Sequence, residues 1–173
     1  MVIWLIGLSG AGKTTIGRQV FETWKSEAPN TVFVDGDDIR ALFNNDQGED
    51  AYTLEGRRLN AKRITGLCSW LDRQGINVVC SILSLFPEMR RENRNLFSGY
   101  FEVYLKVPMD ELNRRDSKGL YAAAKRGEMQ NVVGIDIPFP EPDVADLVIE
   151  NSGPGADPKT LANEILAKAM KAG

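Results

Sequence analysis

The chain has 173 residues, 43% of them hydrophobic and 26% charged, which fits one domain with a full-sized core. A formal net charge of −3 leaves no basic footprint for general nucleic-acid binding, so any phosphate site must be a local cluster of Lys, Arg and backbone N–H groups. The absence of histidine excludes His-dependent triads and His metal sites, and leaves acid–base work to Asp or Glu.

No apolar run approaches the length of a membrane span. The N-terminal apolar run is too short for a signal peptide and lacks a basic leader, so the expected location is the cytoplasm. The two cysteines, Cys68 and Cys80, stand in apolar surroundings and read as reduced core thiols.

Val2-Ile3-Trp4-Leu5-Ile6 predicts a buried strand, and it runs directly into Gly7-Leu8-Ser9-Gly10-Ala11-Gly12-Lys13-Thr14-Thr15. The stretch fits Gly, four residues, Gly, Lys, Ser/Thr without a gap, between a strand and a helical pattern. Glycines at 7, 10 and 12 let backbone N–H groups approach phosphate oxygens, and the following helix points its positive end at the same anion. Lys13 is suited to the β- and γ-phosphates and the Thr14 hydroxyl to Mg²⁺. The expected ATP site is therefore Gly7, Ser9, Gly10, Ala11, Gly12, Lys13, Thr14 and Thr15, because a Gly-rich turn that binds nothing has no need of the whole pattern.

Thr15 to Ser26 predicts a helix, Ala28-Pro29-Asn30 breaks it, and Thr31-Val32-Phe33-Val34 predicts a second strand. That strand ends in Asp35-Gly36-Asp37-Asp38, after which Ile39 and Arg40 begin another helical stretch. Residues 44–52 read as an exposed loop, and Leu54 to Arg73 as a long helix closed by Gly75. Ile76 to Leu83 predicts the third strand, Pro87 the first turn of a helix to about Phe97, and Tyr100 to Leu105 the fourth strand. Pro108 opens a helix toward Arg114, Arg115 and Asp116, and a basic, Ala-rich segment from Lys118 ends near Gly127. A Pro-rich loop over 134–142, a short strand at Leu147-Val148-Ile149 and a helix from Pro158 to Lys171 complete the chain.

Strands alternating with helices imply an α/β fold: a central parallel sheet of about five strands with helices on both faces, as one domain over 1–173. Ligands in such sheets bind beyond the carboxyl ends of the strands, where the phosphate loop, Asp35–Asp38 and Ser81–Ser84 converge. Carboxylates there can organise Mg²⁺, accept a proton from a hydroxyl nucleophile, or simply cap the next helix, and Asp35, Asp37 and Asp38 compete for these roles. Arg114 and Arg115, near Lys118, fit either a solvated helix end or a lid over the phosphates. Asn113-Arg114-Arg115-Asp116 is a poor match to the guanine box of GTPases, since its Lys is replaced and no strand immediately precedes it.

The chain resembles the adenylylsulfate kinases, P-loop kinases that use ATP to phosphorylate the 3′-hydroxyl of adenosine 5′-phosphosulfate in sulfate activation. The matching residues are Gly7–Ile16, Asp35-Gly36-Asp37-Asp38-Ile39-Arg40, Arg57 with Asn60 and Arg63, Arg115-Asp116 with Lys118-Gly119-Leu120-Tyr121, and Gly134-Ile135-Asp136. They run in family order over nearly the whole chain. The resemblance implies a P-loop NTPase fold with a mobile lid over roughly residues 115–140, and a catalytic set of Lys13, Asp35 and Arg115. It further implies Thr14 and Asp35 at Mg²⁺, with Asp37, Arg40, Arg57, Asn60, Ser84, Lys118 and Leu120 on the acceptor side. The implied partner is a small nucleotide, with no nucleic acid or membrane, and a homodimer is the assembly expected.

Departures from the family fall on base recognition. Asp37-Asp38 stands for Asp-Asn, Gln47-Gly48-Glu49 for Leu-Gly-Phe, and Val132 for a phenylalanine that, with the Leu-Gly-Phe one, sandwiches the acceptor's adenine. Ser84-Leu85-Phe86-Pro87-Glu88-Met89-Arg90 lacks the first Arg of the family's Ser-Pro-x-Arg-x-x-Arg, and Tyr52 is a candidate replacement aromatic. Weakened adenine stacking brings in a related acceptor, cytidine diphosphoramidate of capsule polysaccharide modification, as the alternative substrate. A nucleotide sensor without chemistry would be favoured by loss of Lys13, Thr14 or the strand-end Asp, and all three are present.

Overall fold

The computed structural model describes residues 1–44, 49–116, 119–153 and 156–172. Five strands, β1 (Val2–Ile6), β2 (Thr31–Asp35), β3 (Asn77–Ile82), β4 (Tyr100–Lys106) and β5 (Leu147–Glu150), pair in the order β2-β3-β1-β4-β5. Every pairing is parallel, so each strand is followed by a return across the sheet. The helices are α1 (Lys13–Glu27), α2 (Gly36–Leu42), α3 (Leu54–Asp72), α4 (Pro87–Leu96), α5 (Met109–Arg114), α6 (Leu120–Lys125) and α7 (Pro158–Ala172).

Alternation along β1 divides the core. Ile3 and Leu5 face a cluster with Ile16, Val20 and Trp24 of α1 and Leu161, Ile165 and Ala169 of α7. Val2, Trp4 and Ile6 face the opposite cluster, with Ile64 and Cys68 of α3 and Phe97 after α4. Burying both faces is what makes these strands continuous apolar runs rather than alternating ones. Cys68 and Cys80 are free, buried thiols in the second cluster, and burial pushes the Cys80 thiol well up.

Local chemistry sets the helix ends. Asp35 caps α2 by accepting from the Asp37 N–H, Thr53 caps α3 by accepting from the Gly56 N–H, and Pro87 occupies the first turn of α4. Gly75, at φ 74°, makes the left-handed turn from α3 into β3.

One expectation changes. The stretch read as exposed loop over 44–52 contains a 3-10 turn, Glu49–Tyr52, whose Ala51 is 3% exposed. Within the segment over 115–140, Tyr121 and Val132 are buried in the first cluster. Val133 bridges to Ile137 and both pack with Leu85 and Phe86. Among the described residues no helix is long and apolar enough to cross a membrane.

Candidate active site at the carboxyl edge of the sheet

β1 lies at the centre of the sheet, between β3 and β4, and the loop after it emerges at the switch point where bound ligands collect in such folds. Gly10 and Gly12 hold φ of 79° and 92°. A Cβ at Gly7 would come 2.9 Å from the Leu105 carbonyl oxygen, so the loop can lie close against β4 only with glycine there. Gly12 supplies no side-chain cap to α1, which leaves the first-turn N–H groups directed at the crevice. Lys13 Nζ donates to the Leu8 carbonyl at 2.8 Å, folding the lysine back over the loop, and the side chains of Thr14 and Thr15 are exposed.

Three side chains hold this loop, and of these the sequence placed only Ser81 at the crevice. Asn151, just beyond β5, donates from Nδ2 to the Ala11 carbonyl at 3.0 Å. Tyr121 of α6 donates its hydroxyl to the Ser9 carbonyl at 2.8 Å, and Ser81 of β3 donates to the Lys13 carbonyl at 3.0 Å. Asn151 and Ser81 each stand at or beyond the carboxyl end of a predicted strand, which is the signal that placed Ser81 and could have found Asn151.

The Thr14 hydroxyl donates to Asp35 Oδ2 at 2.7 Å, while Asp35 Oδ1 accepts from the Asp37 N–H at 2.9 Å. A hydroxyl and a buried carboxylate side by side at the phosphate loop are hard oxygen donors of the kind Mg²⁺ takes from a protein, with phosphates and water completing its shell. Thr14 and Asp35 therefore fit the ion. Asp37 and Asp38 are exposed.

Arg40, Arg57, Asn60 and Ser84 line one cleft together with Leu83, Leu85 and Phe86. Arg40 and Asn60 are buried, and Asn60 Oδ1 has no hydrogen-bond partner among the described residues. Burial lowers the Arg57 pKa, and the neighbouring Arg40 charge lowers it further. Ser84 holds φ 56° and is fixed by two bonds: Trp4 Nε1 donates to its hydroxyl at 3.2 Å and Arg90 Nη1 to its carbonyl at 2.6 Å. Arg90, the arginine of this segment that matches the family, is thus a buried brace.

Two of the expected site residues, Arg115 and Leu120, are engaged elsewhere in this arrangement. The Arg115 guanidinium is directed to Glu111 at 2.8 Å and to the Gly153 carbonyl at 3.1 Å, although its Cβ lies only 4.0 Å from where one would stand on Gly10. Leu120 packs against the first core cluster and does not line the acceptor cleft; Asp116 fixes the start of α6 by accepting from the Leu120 and Ala122 N–H groups. Val132 is 1% exposed in the same cluster and offers nothing to a base. Lys118, with Gln47 and Gly48, lies outside the described residues.

The model of the adenylylsulphate kinase family matches residues 1–150. A cytidine diphosphoramidate kinase of Campylobacter jejuni is 42% identical over 151 residues, covering 87% of this chain and 86% of its own. An adenylyl-sulfate kinase of Paraburkholderia xenovorans is 38% identical over 150 residues, covering 86% and 82%. The Mycobacterium tuberculosis APS kinase CysC, solved in complex with AMPPNP and APS, has the same fold at a TM-score of 0.82 and 31% identity, over 96% of this chain and 95% of its own.

Proposed function

The chain belongs to the adenylylsulphate kinase family, and on that premise we propose that it transfers a phosphoryl group from ATP to a hydroxyl of a nucleotide whose 5′-phosphate carries a small second group. One observation carries the reading. Asp35 touches Thr14 on the phosphate-loop side and caps α2, the helix that brings Arg40 to the acceptor cleft. Donor and acceptor sites thereby share one rigid joint, as a transfer between two bound nucleotides requires.

In this reading the phosphate loop and Lys13 hold the triphosphate, and Mg²⁺ at Thr14 and Asp35 offsets its charge. Arg40 and Arg57 grip the acceptor's phosphates, and the Asn60 amide, with an unpaired oxygen, is available to a donor on the same molecule. The acceptor hydroxyl loses its proton to a strand-end carboxylate, Asp35 or Asp37.

Adenosine 5′-phosphosulfate is the first acceptor to test, on the strength of the family. Cytidine diphosphoramidate is a second reading with its own support: the 42% identical relative, and a Val132 that turns into the core where an adenine-stacking phenylalanine is expected. The experiment is ATP consumption against a panel of nucleotide 5′-anhydrides, then kcat/KM for these two side by side. A preference beyond about a hundredfold, some 2.7 kcal/mol of transition-state discrimination, assigns the acceptor. Turnover of none of the panel overturns the reading.

A further inference from the structure

The 3-10 turn Glu49–Tyr52, which the sequence pattern leaves as loop, is built around the two arginines of the acceptor cleft. Arg40 Nη1 donates to the Ala51 carbonyl at 2.6 Å, and Arg57 Nε donates to the next carbonyl, Tyr52, at 2.8 Å. The same Tyr52 ring stands against both cations, 4.9 Å from the Arg40 guanidinium carbon and 5.5 Å from that of Arg57. Arg57 is tied from the far side by the Asn131 carbonyl at 2.7 Å.

Two guanidinium groups brought together repel, and long arginine side chains carry much rotamer freedom. Burial and the Arg40 charge both work against the Arg57 cation. A ring face attracts cations without hydrogen-bonding them, so it can hold each guanidinium in place while leaving its N–H donors to a ligand. Arg57 Nη1 is left in that state, with no hydrogen-bond partner among the described residues.

We propose that Tyr52 is the positioning residue of the acceptor clamp: its ring holds Arg40 and Arg57 in the spacing that a pair of linked phosphates, or a phosphate with a small second group, then bridges. The inference rests on the reading above that these arginines receive the acceptor. Pre-set cations spare the ligand the cost of ordering them, so the ring acts on acceptor affinity and not on ATP. The ring is 44% exposed, and its removal takes little from the core.

The test compares wild type, Tyr52→Leu and Tyr52→Phe. Inorganic pyrophosphate binding is measured calorimetrically with the phosphate loop saturated by a non-hydrolysable ATP analogue, alongside KM for ATP and for the best acceptor of the panel. Tyr52→Leu is expected to weaken pyrophosphate and to raise acceptor KM at least fivefold, with ATP KM unchanged. Tyr52→Phe keeps the ring and stays within twofold of wild type throughout. Unchanged pyrophosphate binding in Tyr52→Leu overturns the proposal, and so does a loss confined to the base-bearing acceptor, which would put the ring on the base. Absence of pyrophosphate binding in wild type overturns it as well. A wild-type chain that phosphorylates no acceptor is a failure of the functional reading, and the pyrophosphate series still decides the role of Tyr52.

Discussion

The Thr14 hydroxyl and the Asp35 carboxylate, 2.7 Å apart, join the first turn of α1 to the end of β2. Asp35 has a second duty as the cap of α2, and asparagine caps a helix as well as aspartate does. Asp35→Asn is therefore expected to shift the unfolding free energy by less than about 1 kcal/mol while cutting kcat by about a hundredfold or more, since it removes the charge that Mg²⁺ and the reacting hydroxyl need. Lys13→Ala loses most activity without unfolding the chain. Near-normal turnover of folded Asp35→Asn would move the carboxylate's role to Asp37.

Asn151 tests whether the phosphate loop depends on a residue remote from it in sequence. Its amide reaches the buried Ala11 carbonyl at 3.0 Å. Asn151→Ala leaves that carbonyl unpaired, at about 1–3 kcal/mol, and should raise KM for ATP several-fold with a smaller effect on kcat. Asn151→Asp should do worse, because a carboxylate cannot donate to a carbonyl and adds negative charge beside the triphosphate. Thermal melts with and without ATP, together with initial rates, check both.

The phosphate loop and Asp35 are legible in the sequence because their spacing is local: a strand, a fixed run of glycines, and a helix follow one another without interruption. The five strands are legible for the same reason, with boundaries moving by a residue or two where neighbouring strands set the register. The sequence puts Ser81 and Asn151 at strand ends but does not show their contacts with the loop, since Asn151 and Tyr121 reach it across 140 and 112 residues. The turn at Glu49–Tyr52 fails on another ground. Its composition is polar and without period, and it is ordered by two arginines outside it. Arg115 carries the family's residue, but its neighbour Glu111, one helical turn back, takes its charge.

Asp72 supplies a pH prediction. Burial works against its carboxylate, but hydrogen bonds from the Ser98 N–H at 2.7 Å and the Ser98 hydroxyl at 2.7 Å, with the Met1 amino group at 3.0 Å, hold it below the usual carboxylate range. A lowered folded-state pKa gives stability that is present above the unfolded value, about 3.9, and is lost as pH falls through the folded one. Asp72→Asn should be less stable than wild type at pH 7 by about 1–3 kcal/mol, and the gap should close below about pH 4. Denaturant melts across pH 3–7 measure it; a gap independent of pH would assign the loss to packing alone.

The segment over 115–140 touches the phosphate loop through Tyr121 and the Ser9 carbonyl, and we propose that it closes as a lid when both nucleotides are bound. Proteolytic nicking between Arg115 and Gly127 should then slow on addition of ATP analogue and acceptor together. Equal cleavage with and without them counts against closure.

Val132 bears on the acceptor's base. The Asn131 and Val132 N–H groups both donate to the Asp136 carboxylate, and the N–H groups of Ile135, Asp136 and Ile137 return to the Val132 carbonyl. This tight turn drives the Val132 side chain into the core while the Asn131 carbonyl faces Arg57. Val132→Phe restores the residue type expected of an adenine site, but it adds ring volume to a packed interior at a cost of about 1–3 kcal/mol. Relief would come by moving the turn, and with it the carbonyl that ties Arg57. The variant is therefore expected to melt lower and to raise KM for any anhydride acceptor, adenosine 5′-phosphosulfate included. A Val132→Phe enzyme of wild-type stability with a lower KM for adenosine 5′-phosphosulfate alone would mean that the turn re-forms with the ring in the cleft, and that one side chain there sets the choice of base.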